Sequence, residues 1–285
     1  MSENKIFTRP LVLGVGAQKS GTTWLSTRLE QLTNICVPPL KELHYFDRYS
    51  EIPSIRPEYR NHHYKKLTNI IKDHNKLTPG NRKFLIQLVD RCTLQTDDDY
   101  ILFLRRVAGS APAIADITPE YASLPTEGFE RIRQIAPNAI PVFMMRNPVD
   151  RIWSMAGHVA KHDNNPIPRQ SLDSLVRFSR NNYIRSLTDY SKTVDALIAA
   201  FENPIIVFYE DIFKDEVTAK TFLTTIANRA GSQIKERTDN ILDKVYTGSG
   251  DILQDSWKSA LRAELDEIYQ SIEQRCPKLP ALWKK

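Results

Sequence analysis

Cysteine is scarce in this 285-residue chain: Cys36, Cys92 and Cys276 are odd in number and widely scattered. That spacing forms neither a disulfide framework nor a metal-ligand set, and a reducing, cytoplasmic compartment is the simple expectation. Long apolar runs are missing too. The longest are strand-sized, which excludes a membrane-spanning helix, and the first ten residues lack the apolar segment of a signal peptide. No membrane anchor is therefore expected. No internal repeat or low-complexity tract is present, and with 41% hydrophobic residues the chain can bury the core of one domain over 1–285. Glycine is sparse, ten residues in all, yet Gly14, Gly16 and Gly21 fall within one short stretch.

Charge is unevenly spread. The net charge is +5, and the window from Arg48 to Arg91 holds ten basic residues against four acidic ones, with His62, His63 and His74. A basic patch could draw in an anionic acceptor or a polyanionic donor. The plainer reading of RNHHYKKLTNIIKDHNKL is a solvated helix face, the usual fate of charge runs. No recognised module accompanies the charge, so nucleic acid is not an expected partner.

Residues 14–24, GVGAQKSGTTW, say most about the chemistry. An apolar strand, LVLGVG, runs into a glycine-punctuated loop that opens into a helical stretch, TTWLSTRLEQL. Glycines let the backbone turn tightly around an anion, and the free N–H groups of the helix start point at it. The pattern resembles a Walker A loop but is broken. Gly16 and Gly21 have the right separation, yet Thr22 and Thr23 follow Gly21 and the lysine lies earlier, at Lys19. Such a loop should hold a phosphate-like anion without the NTPase pairing of lysine and magnesium-binding hydroxyl.

A second segment, PVFMMRNPVDRIWS at 141–154, lacks the aspartate that would end a Walker B strand. It ends in Arg146, whose planar fork suits a phosphate, and Ser154 follows two helical turns later as a second donor. Two anion sites without an obvious metal carboxylate point to a nucleotide phosphorylated at both ends, and no metal is expected.

These residues resemble the sulfotransferases that use PAPS (3′-phosphoadenosine 5′-phosphosulfate). The resemblance implies that Lys19, Ser20, Gly21, Thr22, Thr23 and Trp24 bind the 5′-phosphosulfate, and that Arg146 and Ser154 of the R-x-P-x-x-R-x-x-S element, with Pro148 and Arg151, bind the 3′-phosphate. Lys41-Glu42-Leu43-His44-Tyr45-Phe46-Asp47 is similar to the K-E-x-H-F-F-D element of the heparan-sulfate and bacterial carbohydrate branch. Asp116-Ile-Thr-Pro-Glu-Tyr121 is similar to that branch's K-[ST]-P-x-Y segment, but a lysine that contacts the transferred group in some relatives is missing. VFYEDIF at 207–213 is similar to a further strand end of the family. The matches run in order from 11 to 213. The last seventy residues match poorly, and TGSGDILQDSW only faintly resembles the family's nucleotide-closing loop.

The resemblance implies sulfuryl transfer from PAPS, leaving PAP, to a hydroxyl or amine acceptor, by in-line displacement. The K-E-x-H-Y-F element tilts the acceptor toward a saccharide; a small alcohol, a lipid or a protein tyrosine stays open. Lys19 is the candidate for the leaving-oxygen contact. Glu42 is the preferred base and His44 its rival, although Glu42 could instead pair with Lys41 or Arg48, and His44 could simply pack. Lys41 and Asp116 are candidate substrate-binding residues, Asp116 with equal claim to ending its strand. Trp24 could stack on adenine or pack against the sheet. A soluble bacterial protein, a monomer or weak homodimer, fits the pattern. A P-loop kinase is the competing enzyme class, and a silent nucleotide-binding scaffold the non-enzymatic one.

Apolar runs at 11–16, 113–117, 141–145 and 205–209 read as buried strands. Helical periodicity covers about 22–33, 125–135, 148–160, 171–201, 217–229 and 257–274. Strands alternating with helices imply an α/β fold, a P-loop NTPase-like three-layer sandwich with a central parallel sheet flanked by helices. Ligands should gather at the carboxyl ends of the strands, where Lys19, Asp116, Arg146 and Tyr209 fall. Two segments, 48–110 and 158–172, interrupt the alternation and are expected to shape the acceptor side. The first should be mainly helical, with loops at IPSIRPEY and KLTPGNRKF; the second contains the flap-like DNNPIPRQSL.

Overall fold

A computed structural model describes residues 6–47, 62–73, 78–162, 167–235, 240–243 and 252–284. IPSIRPEY, the start of DNNPIPRQSL, and the glycines of TGSGDILQDSW lie outside the described residues.

Four strands form one parallel sheet: β1 (Leu11–Gly16), β2 (Ile114–Ile117), β3 (Ala139–Met145) and β4 (Ile205–Phe208), in the order β2-β1-β3-β4. The register sets Leu13 between Asp116 and Pro141, and pairs Phe143 with Ile206. β1 and β3 are buried along their whole length, while β4, at the edge, is half-buried. That contrast follows from the layers, since a strand covered on both faces can be apolar throughout. Successive side chains point to opposite faces and divide between two cores. Leu11, Leu13, Val15, Phe143 and Met145 join one, and Val12, Ile140, Val142 and Met144 the other.

The second core is closed by α1 (Thr22–Leu32), through Leu25 and Leu29, and by the helix Glu216–Arg229, through Phe222, Leu223 and Ile226. The first is larger. It takes in Asp97–Ala108, Thr126–Ile135, α2 (Pro148–His162), Tyr190–Ala200 and the C-terminal helices. Local signals place these helices. Thr96 Oγ1 accepts from Asp99 N at 3.2 Å while Asp99 Oδ2 accepts from Thr96 N at 2.9 Å, a capping box at a helix start carrying three aspartates.

The helical reading of 171–201 needs correction: three helices stand there, Leu172–Ser179, Asn182–Ser186 and Tyr190–Ala200. Asn181 Oδ1 accepts from the backbone N–H of Tyr183 and Ile184, so a capping side chain restarts the helix inside an unbroken apolar period. The stretch 257–274 is likewise two helices, Asp255–Glu264 and Asp266–Arg275, meeting at Leu265. Between 62 and 108 the described residues are mainly helical, as His62–Lys72, Arg82–Thr93 and Asp97–Ala108. Of the described helices, none is long and apolar enough to cross a membrane.

Candidate active site

The loop after β1 is built by backbone conformations that ordinary residues avoid. Gly16 has φ +129°, Lys19 φ +68° and Gly21 φ +87°. At Gly16 a Cβ would come within 2.8 Å of the Pro119 carbonyl oxygen, so no other residue fits that crossing. Gly21 caps α1 without a side chain, which leaves the first-turn N–H groups of Thr22 and Thr23 unclaimed by a capping oxygen. Ser20 is fully buried, its hydroxyl without a hydrogen-bond partner. The loop thus offers backbone donors at a positive helix end, the arrangement that holds oxyanions.

Arg146 reaches this loop from the end of β3. Its Nη1 donates to the Lys19 carbonyl at 3.1 Å, and the guanidinium lies 5.0 Å from the centre of the Tyr209 ring. The turn behind it is pinned: Tyr190 Oη donates to the Arg146 carbonyl, and Glu210 Oε1 accepts from Asn147 N, both at 2.8 Å. Lys19 feels this neighbour. Burial and the nearby Arg146 cation lower its ammonium pKa to about 8, against the opposing pull of Glu42. Ser154 sits half-buried on α2. Arg151, one turn before it, is turned away into the core, with Nη2 donating to the Ile184 carbonyl at 2.8 Å and to Thr188 Oγ1 at 2.5 Å.

The segment 41–47 closes the site from the other side. Lys41 Nζ donates to Thr23 Oγ1 at 2.7 Å and lies 3.3 Å from Glu42 Oε1, so it bridges the helix start and the candidate base. Glu42 and His44 both have left-handed backbones, φ +63° and +50°. With Lys19, they account for three of the four non-glycine residues at positive φ among the described ones. Such conformations cost on the order of 1–3 kcal/mol each and concentrate where function demands them. The backbone is held there by Arg91, which donates to the carbonyls of Leu43 and His44, and by Tyr121 Oη, which accepts from Tyr45 N at 3.0 Å.

His44 is 2% exposed, and its Nδ1 meets Asp47 Oδ2 at 2.6 Å. Burial pulls the imidazole pKa down, but Asp47 and Glu120 push it up further, to about 9 on balance. The ring is therefore already protonated at neutral pH and is no free base there. Glu120, which the sequence reading missed, stands opposite with Oε2 3.8 Å from His44 Nε2. Burial, opposed by His44 and reinforced by Glu42 and Asp47, lifts its carboxyl to about 7. The signal that could have found it was the variable position of D-I-T-P-E-Y, an acidic residue beside a strand end. Glu42, His44 and Glu120 each offer one atom within 4.8 Å of the others.

Two expected site residues are placed elsewhere. Asp116 is 1% exposed, and its carboxylate accepts from Tyr100 Oη at 2.8 Å, Thr118 Oγ1 at 2.7 Å and Tyr121 Oη at 2.9 Å. Three framework hydroxyls hold it, which favours the structural one of its two expected roles. Trp24 is 4% exposed, donates Nε1–H to the Ile241 carbonyl at 2.7 Å, and packs against Phe213 and Phe222. No open indole face remains for a base to stack on, so of its two roles it takes the packing one.

The Sulfotransferase family model matches residues 10–224, three quarters of the chain and the whole of this constellation. The chain belongs to the sulfotransferase family. Among solved structures, a sulfotransferase from Alicyclobacillus acidocaldarius is similar over 98% of this chain and 99% of its own, at 19% identity and a TM-score of 0.63. The sulfotransferase domain of the Synechococcus PCC 7002 olefin synthase aligns over 98% of both chains, at 17% identity and a TM-score of 0.51. At such identities the likeness carries the fold alone, and that fold is the P-loop NTPase-like α/β sandwich. No curated protein matches this sulfotransferase in sequence.

Proposed function

We propose that this sulfotransferase moves a sulfuryl group from PAPS to a hydroxyl or amine acceptor, with a saccharide as the acceptor class. The observation that carries the reading is the convergence of Lys19, Lys41 and Arg146 on one helix start beside the carboxylate of Glu42. The family generally uses PAPS, and the two anion-binding motifs of the sequence, the loop after β1 and the Arg146–Ser154 segment, suit a nucleotide with phosphate at both ends. The first-turn N–H groups and Lys19 would take the 5′-phosphosulfate, Arg146 and Ser154 the 3′-phosphate. The sugar acceptor rests on the K-E-x-H-Y-F element, whose Glu42 and His44 share the cluster just described.

In the transfer, the acceptor's oxygen or nitrogen forms a bond to sulfur while the bond from sulfur to the bridging phosphate oxygen breaks. The electron pair leaves with that oxygen, where Lys19 meets the growing charge. The acceptor's proton passes to a carboxylate. Glu42 is the exposed one, with 37% of its side chain open, and can face an incoming acceptor. His44, already protonated behind it, is assigned to orientation.

Calorimetry with PAP in the absence of magnesium, with ATP as control, tests the donor. Tight PAP binding with little ATP binding is the expected result. Preference for ATP, restored by magnesium, would instead favour a kinase. A panel of sugars, small alcohols and tyrosine peptides then tests the acceptor class.

A further inference from the structure

Glu120 is buried to 3% exposure, and its two oxygens do different things. Oε1 accepts from Gln18 Nε2 at 2.7 Å, and Gln18 immediately precedes Lys19 in the anion loop. Oε2 has no hydrogen-bond partner and lies 3.8 Å from His44 Nε2, whose ring is clamped on its other side by Asp47. The result is a continuous chain, Gln18–Glu120–His44–Asp47, from the loop after β1 through the turn after β2 to the segment carrying Glu42. A carboxylate with a spare buried oxygen is unfavourable on its own, and the charge that offsets it most is the imidazole of His44.

We propose that Glu120 is a positioning residue of the transfer reaction, fixing the ring of His44 behind Glu42 and tying that segment to the anion loop through Gln18. The inference rests on the sulfotransferase reading of the same site and adds a residue to it. Glu120 is too enclosed to touch an acceptor; it acts through the groups it holds. By keeping a negative charge beside the imidazole it keeps that ring a cation and holds it in place.

The groups facing the cluster come from several elements. Glu42, His44 and Asp47 lie on one segment, with Gln18 and Lys19 on the loop. His63 of the helix His62–Lys72 has its ring 5.9 Å from that of His44. Arg91 donates to the carbonyls of Leu43 and His44, and Tyr183 Oη is 3.4 Å from Gln18 Nε2. The signs follow from the charges. Glu120 ionises as pH rises through about 7, so its support of His44 is present above that pH and lost below it. His44 stays charged up to about 9. Removing the Glu120 charge must bring the His44 transition to lower pH.

Nitrogen-detected NMR of the imidazoles, assigned with His44→Gln, reads this directly in wild type and Glu120→Gln, with PAP calorimetry and thermal unfolding run on each protein. The expected result is a His44 titration displaced downward by a unit or more in Glu120→Gln. PAPS consumption, with water or a sugar as acceptor, should fall on the order of 10-fold or more, as loss of an orienting partner does. Glu120→Asp, which keeps the charge but withdraws it, should lie between. An unmoved His44 titration in a folded Glu120→Gln that binds PAP would overturn the role of Glu120 alone. Failure of wild type to bind PAP would overturn the donor reading, and the role in transfer with it. If Glu120→Gln does not fold, Gln18→Ala releases the same carboxylate from the loop and must shift the His44 titration for the proposal to stand.

Discussion

Lys19 shows how much a single side chain is shaped by its surroundings. Its ammonium loses hydration and sits near Arg146, so the charged form is disfavoured unless an anion arrives. Binding of the donor's phosphates should therefore restore the proton. PAP affinity should be roughly constant below pH 8 and weaken as pH rises past it, because the empty site then holds neutral Lys19; calorimetry across pH 6.5–9.5 checks the sign. Lys19→Ala should lower turnover by ~10²-fold or more, the usual loss when a preorganised charge contact is removed. Asp116 is the opposite case, a charged residue whose part is structural. Asp116→Ala would leave the buried hydroxyls of Tyr100, Thr118 and Tyr121 without their acceptor and cost about 3 kcal/mol or more, at ~1–3 kcal/mol for each orphaned group. Urea unfolding measures it. The aspartate's place toward the end of a strand was legible in the sequence. That two tyrosines, from 100 and 121, would converge on it was not, because such partners are set by packing between distant segments.

At the scale of elements, strands and their ends were the most readable feature. Runs such as LVLGVG and PVFMM are apolar enough to be strands only when covered on both faces. The helices were legible in period but not in length. Asn181 and Leu265 divide stretches whose apolar spacing runs straight through, and at Asn181 a capping side chain wins locally over the pattern. The start of α1 depends on Gly21, where an added Cβ would meet the Tyr209 and Phe213 rings at 3.3 Å in a left-handed backbone. Gly21→Val should both strain the loop and push those rings, lowering stability by about 1–3 kcal/mol. It should also weaken PAP binding more than Asp116→Ala does, which a paired comparison of melting temperature and PAP affinity resolves.

Over the whole molecule, the parallel sheet decides where chemistry can occur. Lys19, Glu120, Arg146 and Tyr209 belong to four separate strand ends, and strand order β2-β1-β3-β4 sets them side by side. The anion-binding half of the site was legible because it is local, a loop and a helix start contiguous in sequence. The carboxylate half was only partly so. Glu42 and His44 stand in a recognisable element, but Glu120 and Gln18 are 102 residues apart and meet only because β1 and β2 are neighbours.

The left-handed backbone at Glu42 has one more consequence, which belongs to stability screening and not to enzymology. A half-exposed glutamate has no folding reason to occupy φ +63°, and glycine occupies that region freely. Glu42→Gly should therefore melt higher than wild type, by a gain of about 0.5–1 kcal/mol, while transfer collapses. His44 would not show the same gain, since its ring is packed and bound to Asp47. A glycine scan read by melting temperature alone, with no substrate present, would then mark Glu42 by an increase where neighbouring positions show a loss.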